Sequence, residues 1–134
     1  MPSTPAATPR IALINDDTTF LELMRDLLEV TEGYAVQIRK EWDHAYEWVK
    51  AERPDLLILD IVMEREERGW RILELLTLDP ETRPIPVIVC PAAIRSLHEH
   101  QAELDRYGVL ALPKPFDLPA LLEAVSTALR QGQN

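Results

Sequence analysis

Short apolar runs recur along the chain, and longer segments in which apolar residues repeat every three or four positions separate them. Three of the runs, IALIN at 11–15, LLILD at 56–60 and VIVC at 87–90, are typical of strands buried on both faces of a sheet. The stretch YAVQI at 34–38 alternates between apolar and other side chains, which predicts a half-exposed strand at a sheet edge. Residues 109–112 predict a short fifth strand.

The segments between these strands have helical periodicity. In the first of them the apolar side chains share one helical face, and the capping-box spacing of Thr19 and Glu22 predicts where the helix starts. Asp43 and Asp117 stand where the N-caps of the second and the last helix are expected. The fourth helix is more polar than the others and is predicted as one unit that ends before Gly108.

Five strands that alternate with five helices predict an α/β fold, a doubly wound parallel sheet with helices on both faces. The length of 134 residues fits one domain, which we place at residues 10–131. Residues 1–9 contain three prolines and no charged side chain, which predicts a flexible N-terminal tail. Residues 132–134 are expected to form a short C-terminal tail.

The chain is acidic, because 14 Lys and Arg residues face 23 Asp and Glu residues and leave a net charge of −9. Such a surface repels phosphate backbones, which argues against a direct nucleic-acid partner. The sequence has no apolar run of about 18 residues and no basic start followed by an apolar stretch, so membrane insertion and secretion are not expected. A cytoplasmic domain is therefore predicted.

Charged residues stand at the carboxyl ends of three predicted strands. Asp16 and Asp17 follow the first strand, Asp60 ends the third, and Lys114 follows the fifth. Ligands of open α/β sheets bind at this edge, so we expect the four side chains to converge. Carboxylate oxygens suit Mg²⁺, and a lysine suits a phosphoryl group. A carboxylate beside such a cation can itself be a nucleophile and form an aspartyl phosphate.

Each of these residues also has a simpler interpretation. An adjacent Asp pair is usually a solvated turn or a helix cap, and a single lysine is usually a surface residue. Asp60 is harder to explain in this way, because a carboxylate at the end of an apolar strand must be hydrogen-bonded or functional. The joint occurrence at three strand ends is what favours a functional site.

The stretches ALINDD, PDLLILDIVM, PVIVCPAA and LPKPFDLPALLEAV resemble the receiver domain of bacterial two-component response regulators, over nearly the whole chain. The resemblance implies a flavodoxin-like sheet with the strand order 2-1-3-4-5. It also implies that Asp60 is both the phosphoacceptor and a Mg²⁺ ligand, that Asp17 binds the ion directly, and that Asp16 holds metal-bound water. The backbone carbonyl of Val62 is implied to be a further ligand, and Lys114 to contact the phosphoryl group.

The sequence departs from the receiver pattern at three places. Receivers usually carry Thr or Ser at the end of the fourth strand, where this chain has Pro91, and Tyr or Phe three residues before the lysine, where it has Ala111. Proline offers neither a hydroxyl nor an N–H, and alanine has no ring to swing inward. The charged segment at 64–69 is expected to be a loop one residue longer than usual, since Gly69 lies nine residues past Asp60.

The predicted function is therefore a stand-alone receiver that accepts a phosphoryl group from a sensor histidine kinase or a phosphotransfer protein. Its output is expected to pass to a downstream protein partner through residues 93–131, and whether the chain also forms a homodimer stays open. A pseudo-receiver that binds partners without phosphorylation is an alternative, favoured by Pro91 and Ala111. A phosphatase with an aspartyl-phosphate intermediate is disfavoured, because Val62 stands where that chemistry needs a second Asp. We expect the chain to catalyse at most its own phosphorylation and dephosphorylation.

Other conspicuous residues are expected to be structural. Cys90 lies within an apolar run and is predicted to belong to the core. The three tryptophans are expected to cap the core rather than to form a partner surface. His98 and His100 are two positions apart and do not share a helical face, so a metal site between them is not expected.

Overall fold

The computed structural model describes residues 8–61, 66–91, 94–113 and 117–132. Val62, Lys114 and most of the predicted N-terminal tail lie outside these ranges. The described residues contain five parallel strands in one sheet, ordered β2-β1-β3-β4-β5. The strands are β1 (Arg10–Ile14), β2 (Ala35–Arg39), β3 (Leu56–Ile61), β4 (Val87–Pro91) and β5 (Leu110–Ala111). The predicted doubly wound sheet and its strand order are thus confirmed.

Six helices are described, and they cover both faces of the sheet. They are α1 (Thr18–Glu32), α2 (Ala45–Glu52), α3 (Glu66–Leu78), α4 (Ile94–Glu99), α5 (Gln101–Tyr107) and α6 (Leu118–Gly132). One buried cluster joins one face of the sheet to α1 and α6, and the other joins the opposite face to α2, α3 and α5. Every residue of β3 is buried, as expected for a central strand between two helical layers.

Two of the three predicted N-caps are wrong. Helix α1 begins at Thr18 and is capped by Asp17, whose Oδ1 accepts the backbone N–H of Phe20 at 3.2 Å, so the Thr19 capping box is not used. The residue that caps α2 is His44 in a left-handed conformation, with no side-chain bond, in place of Asp43. The cap of α6 is confirmed, because Asp117 Oδ1 accepts the N–H of Ala120 at 2.9 Å.

The third and fourth predicted helices also differ from expectation. Helix α3 begins at Glu66, so the last residues of the predicted charged loop are helical. The fourth helix is interrupted at His100, whose φ of −107° and ψ of 7° leave the helical region. At this break the His100 ring stacks on Trp70 of α3, a tertiary contact that local periodicity cannot reveal.

A polar network ties α2 to the connection between α3 and β4. Tyr46 of α2 donates its hydroxyl hydrogen to Asp79, and Lys50 Nζ lies 2.9 Å from Asp79 Oδ2 and 3.1 Å from Glu81 Oε2. The Tyr46 hydrogen bond, the backbone N–H of Glu81 and Lys50 together lower the pKa of Asp79 to about 2. Next to the network, the buried Thr82 hydroxyl donates to the Leu76 carbonyl at 2.7 Å.

Candidate functional site

Two adjacent strands bring the predicted acidic residues to the same edge of the sheet. Ile14 at the end of β1 is in register with Leu59 of β3, so the residues that follow each of them emerge side by side. Asp60 is only 3% exposed, whereas Asp16 and Asp17 are exposed to solvent. The site therefore combines one buried carboxylate with two solvent-exposed carboxylates at the edge of the sheet.

The position of Asp60 within β3 decides which layer surrounds it. Asp60 is in register with Cys90 of β4, and strand alternation puts both on the face of Ile58 and Ile88, which α1 and α6 cover. Cys90 is 2% exposed and belongs to this core cluster, as predicted. The carboxylate thus stands at the boundary between an apolar core and the solvent-exposed edge.

Asn15 was not singled out from the sequence, yet it organises the acidic loop. Its side chain is buried, and its Oδ1 accepts the backbone N–H of Asp17 at 2.9 Å. Its own backbone N–H donates to the carbonyl of Arg39 at 3.1 Å, which anchors the loop to the end of β2. The signal available in the sequence was a polar residue closing an otherwise apolar strand.

The structural interpretation of Asp17 is confirmed, since it caps α1. The cap bond engages one carboxylate oxygen, and a carboxylate offers about four lone-pair sites on its two oxygens, so capping and metal binding are compatible. The cap bond from the Phe20 N–H orients the Asp17 side chain, and the bond from the Asp17 backbone N–H to Asn15 Oδ1 holds the backbone from which that side chain extends.

The donor set at this edge suits a hard cation such as Mg²⁺. Among the described residues, no three His, Cys, Asp or Glu side chains are grouped closely enough to hold a metal ion by themselves. Mg²⁺ does not require such a cage, because it binds through one or two carboxylates and keeps several waters. An exposed Asp pair beside a buried carboxylate meets that need. Val62 and Lys114, the other predicted members, lie outside the described residues.

The two atypical positions lie where the sequence comparison with receivers put them. Pro91 is buried, ends β4 and is in register with Ile61, the residue that follows Asp60. Ala111 ends β5 in register with Val89, and it packs against the core cluster that contains Trp70. Neither residue has a side chain that can hydrogen-bond to a phosphoryl oxygen.

The first turns of α3 approach this site closely. A Cβ added to Gly69 would lie 2.4 Å from Ile61 Cδ1 and 3.7 Å from the carbonyl oxygen of Asp60. The next residue, Trp70, is 6% exposed, and its ring stacks on His100 with the centroids 3.9 Å apart and the planes 11° apart. Trp42 is likewise buried and Trp48 half-buried against the core, so the prediction that the tryptophans cap the core is confirmed.

Comparison with known proteins identifies relatives over nearly the whole chain. Residues 11–126 match the family described as the response regulator receiver domain. The response regulator MprA of Mycobacterium leprae is 34% identical over 122 residues, which are 91% of this chain and 51% of that protein. MprA of Mycobacterium tuberculosis is 33% identical over the same shares of both chains. The chain therefore spans about half the length of the curated relatives it matches.

Solved structures show the same fold. A response regulator receiver domain protein from Clostridium thermocellum matches with a TM-score of 0.79 and 21% identity, covering 93% of this chain and 97% of that one. The signal receiver domain of a signal transduction histidine kinase from Syntrophus aciditrophicus matches with a TM-score of 0.77 and 26% identity, covering 92% and 91%. None of the described helices is long and apolar enough to cross a bilayer.

Proposed function

Because the chain belongs to the response regulator receiver family, we propose that it takes a phosphoryl group onto Asp60 from a histidine kinase or a phosphotransfer protein. Receiver domains are signalling domains of two-component systems, and phosphorylation on Asp is general for them. The observation that carries the proposal is the placement of Asp60: a buried carboxylate at the carboxyl end of the central strand, next to the exposed Asp16–Asp17 pair.

The proposed step is an in-line transfer. A carboxylate oxygen of Asp60 forms a bond to phosphorus as the bond between phosphorus and the donor's histidine nitrogen breaks, and the nitrogen keeps the electron pair. Asp17 and Asp16 are the residues that would hold Mg²⁺, with the backbone carbonyl of Val62 as a further ligand. When bound, the ion offsets the charge of the phosphoryl oxygens. Lys114 would contact the same oxygens.

The electrostatics of the edge explain why a cation is needed. Asp60 and the Asp16–Asp17 pair put carboxylates of the same sign at one edge of the sheet, where they disfavour the approach of a negatively charged phosphoryl group. Asp16, Asp17 and Asp60 with Lys114 sum to −2, which one Mg²⁺ balances. The carboxylate of Asp60 lies at the core boundary, where charge interactions are less screened than in water.

Phosphorylation can be tested directly on the whole chain. Incubation with Mg²⁺ and acetyl phosphate should add the mass of one phosphoryl group to the wild type and none to Asp60→Asn. Beryllofluoride with Mg²⁺ should shift the amide signals of Ile61 and its neighbours in the wild type only. If the wild type neither gains mass nor responds to beryllofluoride, Asp60 is not a phosphoacceptor.

A phosphorylation-independent scaffold is the second candidate, and Pro91 and Ala111 favour it. A scaffold has no need of the ion, so Mg²⁺ titration separates the two functions. Asp17→Asn is the suitable variant, because Asn caps helices about as well as Asp while removing the charge. Mg²⁺ binding that weakens strongly in this variant supports the phosphoacceptor, and absence of Mg²⁺ binding in the wild type supports the scaffold.

We also propose that the domain works in the cytoplasm and passes its signal to a protein partner through the surface formed by residues 93–131. The net charge of −9 supports a protein partner over direct binding to nucleic acid. Electrophoretic mobility of a labelled DNA duplex should be unaffected by the chain at physiological salt, in either phosphorylation state.

A further inference from the structure

Receivers usually carry a hydroxyl side chain at the end of the fourth strand and an aromatic ring on the fifth, and this chain has neither. Pro91 has no hydroxyl that could bond to a phosphoryl oxygen, and Ala111 has no ring that could move inward. The cluster against which Ala111 packs contains the buried rings of Trp42 and of Trp70 in α3. One aromatic ring of this cluster therefore comes from α3, which begins at Glu66, rather than from β5.

A continuous set of contacts leads from Asp60 to the break between α4 and α5. Gly69 lies against Ile61 so closely that a Cβ there would overlap Ile61 Cδ1 at 2.4 Å. Trp70 follows in the chain and stacks on His100 with the centroids 3.9 Å apart. His100 Nδ1 in turn lies 3.6 Å from Glu103 Oε1 in the first turn of α5.

The break at His100 separates two short helices of the fold. Residues 94–99 and 101–107 are helical, and His100 alone leaves the helical region between them. Its side chain is 24% exposed, so the Trp70 ring covers much of it. Rotation of the His100 backbone toward helical angles of about −63° and −42° would join α4 and α5 into one helix. Coupling between two sites requires an element with two discrete arrangements in addition to contiguous packing.

We propose that the Trp70–His100 stack transmits the state of Asp60 to α4 and α5, in place of the missing hydroxyl and aromatic ring. This inference rests on the proposed phosphorylation of Asp60. A shift of α3 against β3 moves Gly69 along Ile61, carries Trp70 with it, and changes the angle between α4 and α5 at His100.

The test compares amide spectra of the whole chain with and without Mg²⁺ and beryllofluoride. The variants are His100→Ala, which removes the stack, and Trp70→Leu, which removes its other half. His100→Phe is the matched control, because it keeps a flat ring against Trp70. In the wild type and in His100→Phe we expect shifts both at Ile61 and over residues 97–104. In the other two variants the shifts at Ile61 should persist, while those at 97–104 fall about fivefold or more.

The spectra distinguish failure of the Trp70–His100 stack as the route from failure of Asp60 as the phosphoacceptor. Shifts at 97–104 that keep their wild-type size in His100→Ala would overturn the stack as the route, with phosphorylation intact. Absence of any shift at Ile61 in the wild type would overturn the phosphoacceptor role and the route together. If Trp70→Leu does not fold, His100→Ala decides alone, because its site is partly exposed and the truncation empties less of the core.

Discussion

The contact between Gly69 and Ile61 allows a quantitative test of how α3 sits on the central strand. Alanine normally stabilises a helix interior by about 1 kcal/mol relative to glycine. At this position the new methyl group would lie 2.4 Å from Ile61 Cδ1, and Ile61 is 1% exposed, so its side chain has little room to turn away. Overpacking of a core typically costs about 1–3 kcal/mol. We therefore expect Gly69→Ala to destabilise the domain by about 1 kcal/mol.

Ile61→Val provides the matched partner, because it removes the one atom that overlaps. The nearest remaining atoms would be Ile61 Cγ1 at 3.6 Å and the Asp60 carbonyl oxygen at 3.7 Å, which are ordinary contacts. Ile61→Val alone should cost about 0.5–1.5 kcal/mol. In the double variant the new methyl group fills the vacated space and the helix gains alanine, so its stability should lie within about 1 kcal/mol of the wild type.

Urea unfolding followed by far-ultraviolet circular dichroism measures all four proteins. The slope of the free energy of unfolding with urea should be the same in each, so that midpoints report stability alone. The cycle should give a favourable coupling of about 1–3 kcal/mol between the two substitutions. Effects that add within about 0.5 kcal/mol, or a Gly69→Ala protein more stable than the wild type, would refute the close packing.

Three further predictions follow from the polar contacts. Asp17→Ala should lower stability by about 0.5–2 kcal/mol through loss of the α1 cap, while Asp17→Asn should keep it; thermal unfolding of both variants checks this. The pKa of Asp79 is about 2 when folded and ordinary when unfolded, so its contribution is full above about pH 4 and is lost as the pH falls toward 2. In Asp79→Asn or Tyr46→Phe, the urea midpoint should fall less steeply with decreasing pH across that range than it does in the wild type. A pH dependence equal to that of the wild type would contradict a stabilising role of the network. Thr82→Val should cost about 1–3 kcal/mol, because the buried Leu76 carbonyl loses its hydroxyl donor; a loss below about 0.5 kcal/mol would mean that water replaces it.

The fold was predictable because its pattern is strong and largely local. The continuous apolar run at 56–59 is typical of a strand covered on both faces, and the alternation at 34–38 correctly indicated an edge strand. The rule that ligands of open α/β sheets bind at the carboxyl edge indicated that the Asp pair and Asp60 leave neighbouring strands at the same edge, and the register of β1 with β3 agrees with this. These inferences require only the order of residues and no knowledge of which side chains meet.

The errors arose where several local solutions compete or where a distant residue decides. Asp17 and Thr19 can both cap a helix, and the bond from Asn15 to the Asp17 N–H favours the former. The break at His100 coincides with a ring stack on Trp70, thirty positions earlier, and no local periodicity can reveal such a contact. Gly69 lies in α3 although glycine by itself disfavours a helix, and a Cβ at this position would meet the terminal methyl group of Ile61 at 2.4 Å.

The two edges of the sheet have a consequence for how this domain meets other molecules. Strand β5 is only two residues long, and β2 ends at Arg39, whose guanidinium donates to the carbonyls of Glu41 and Asp43 and draws the following chain back around the strand end. Short edges and charged edge residues are the means by which β-proteins avoid pairing with foreign strands. Contacts made by this domain should therefore be side-chain recognition on helical faces, which can be gained and released quickly, and concentrated solutions should resist the growth of β-rich fibres.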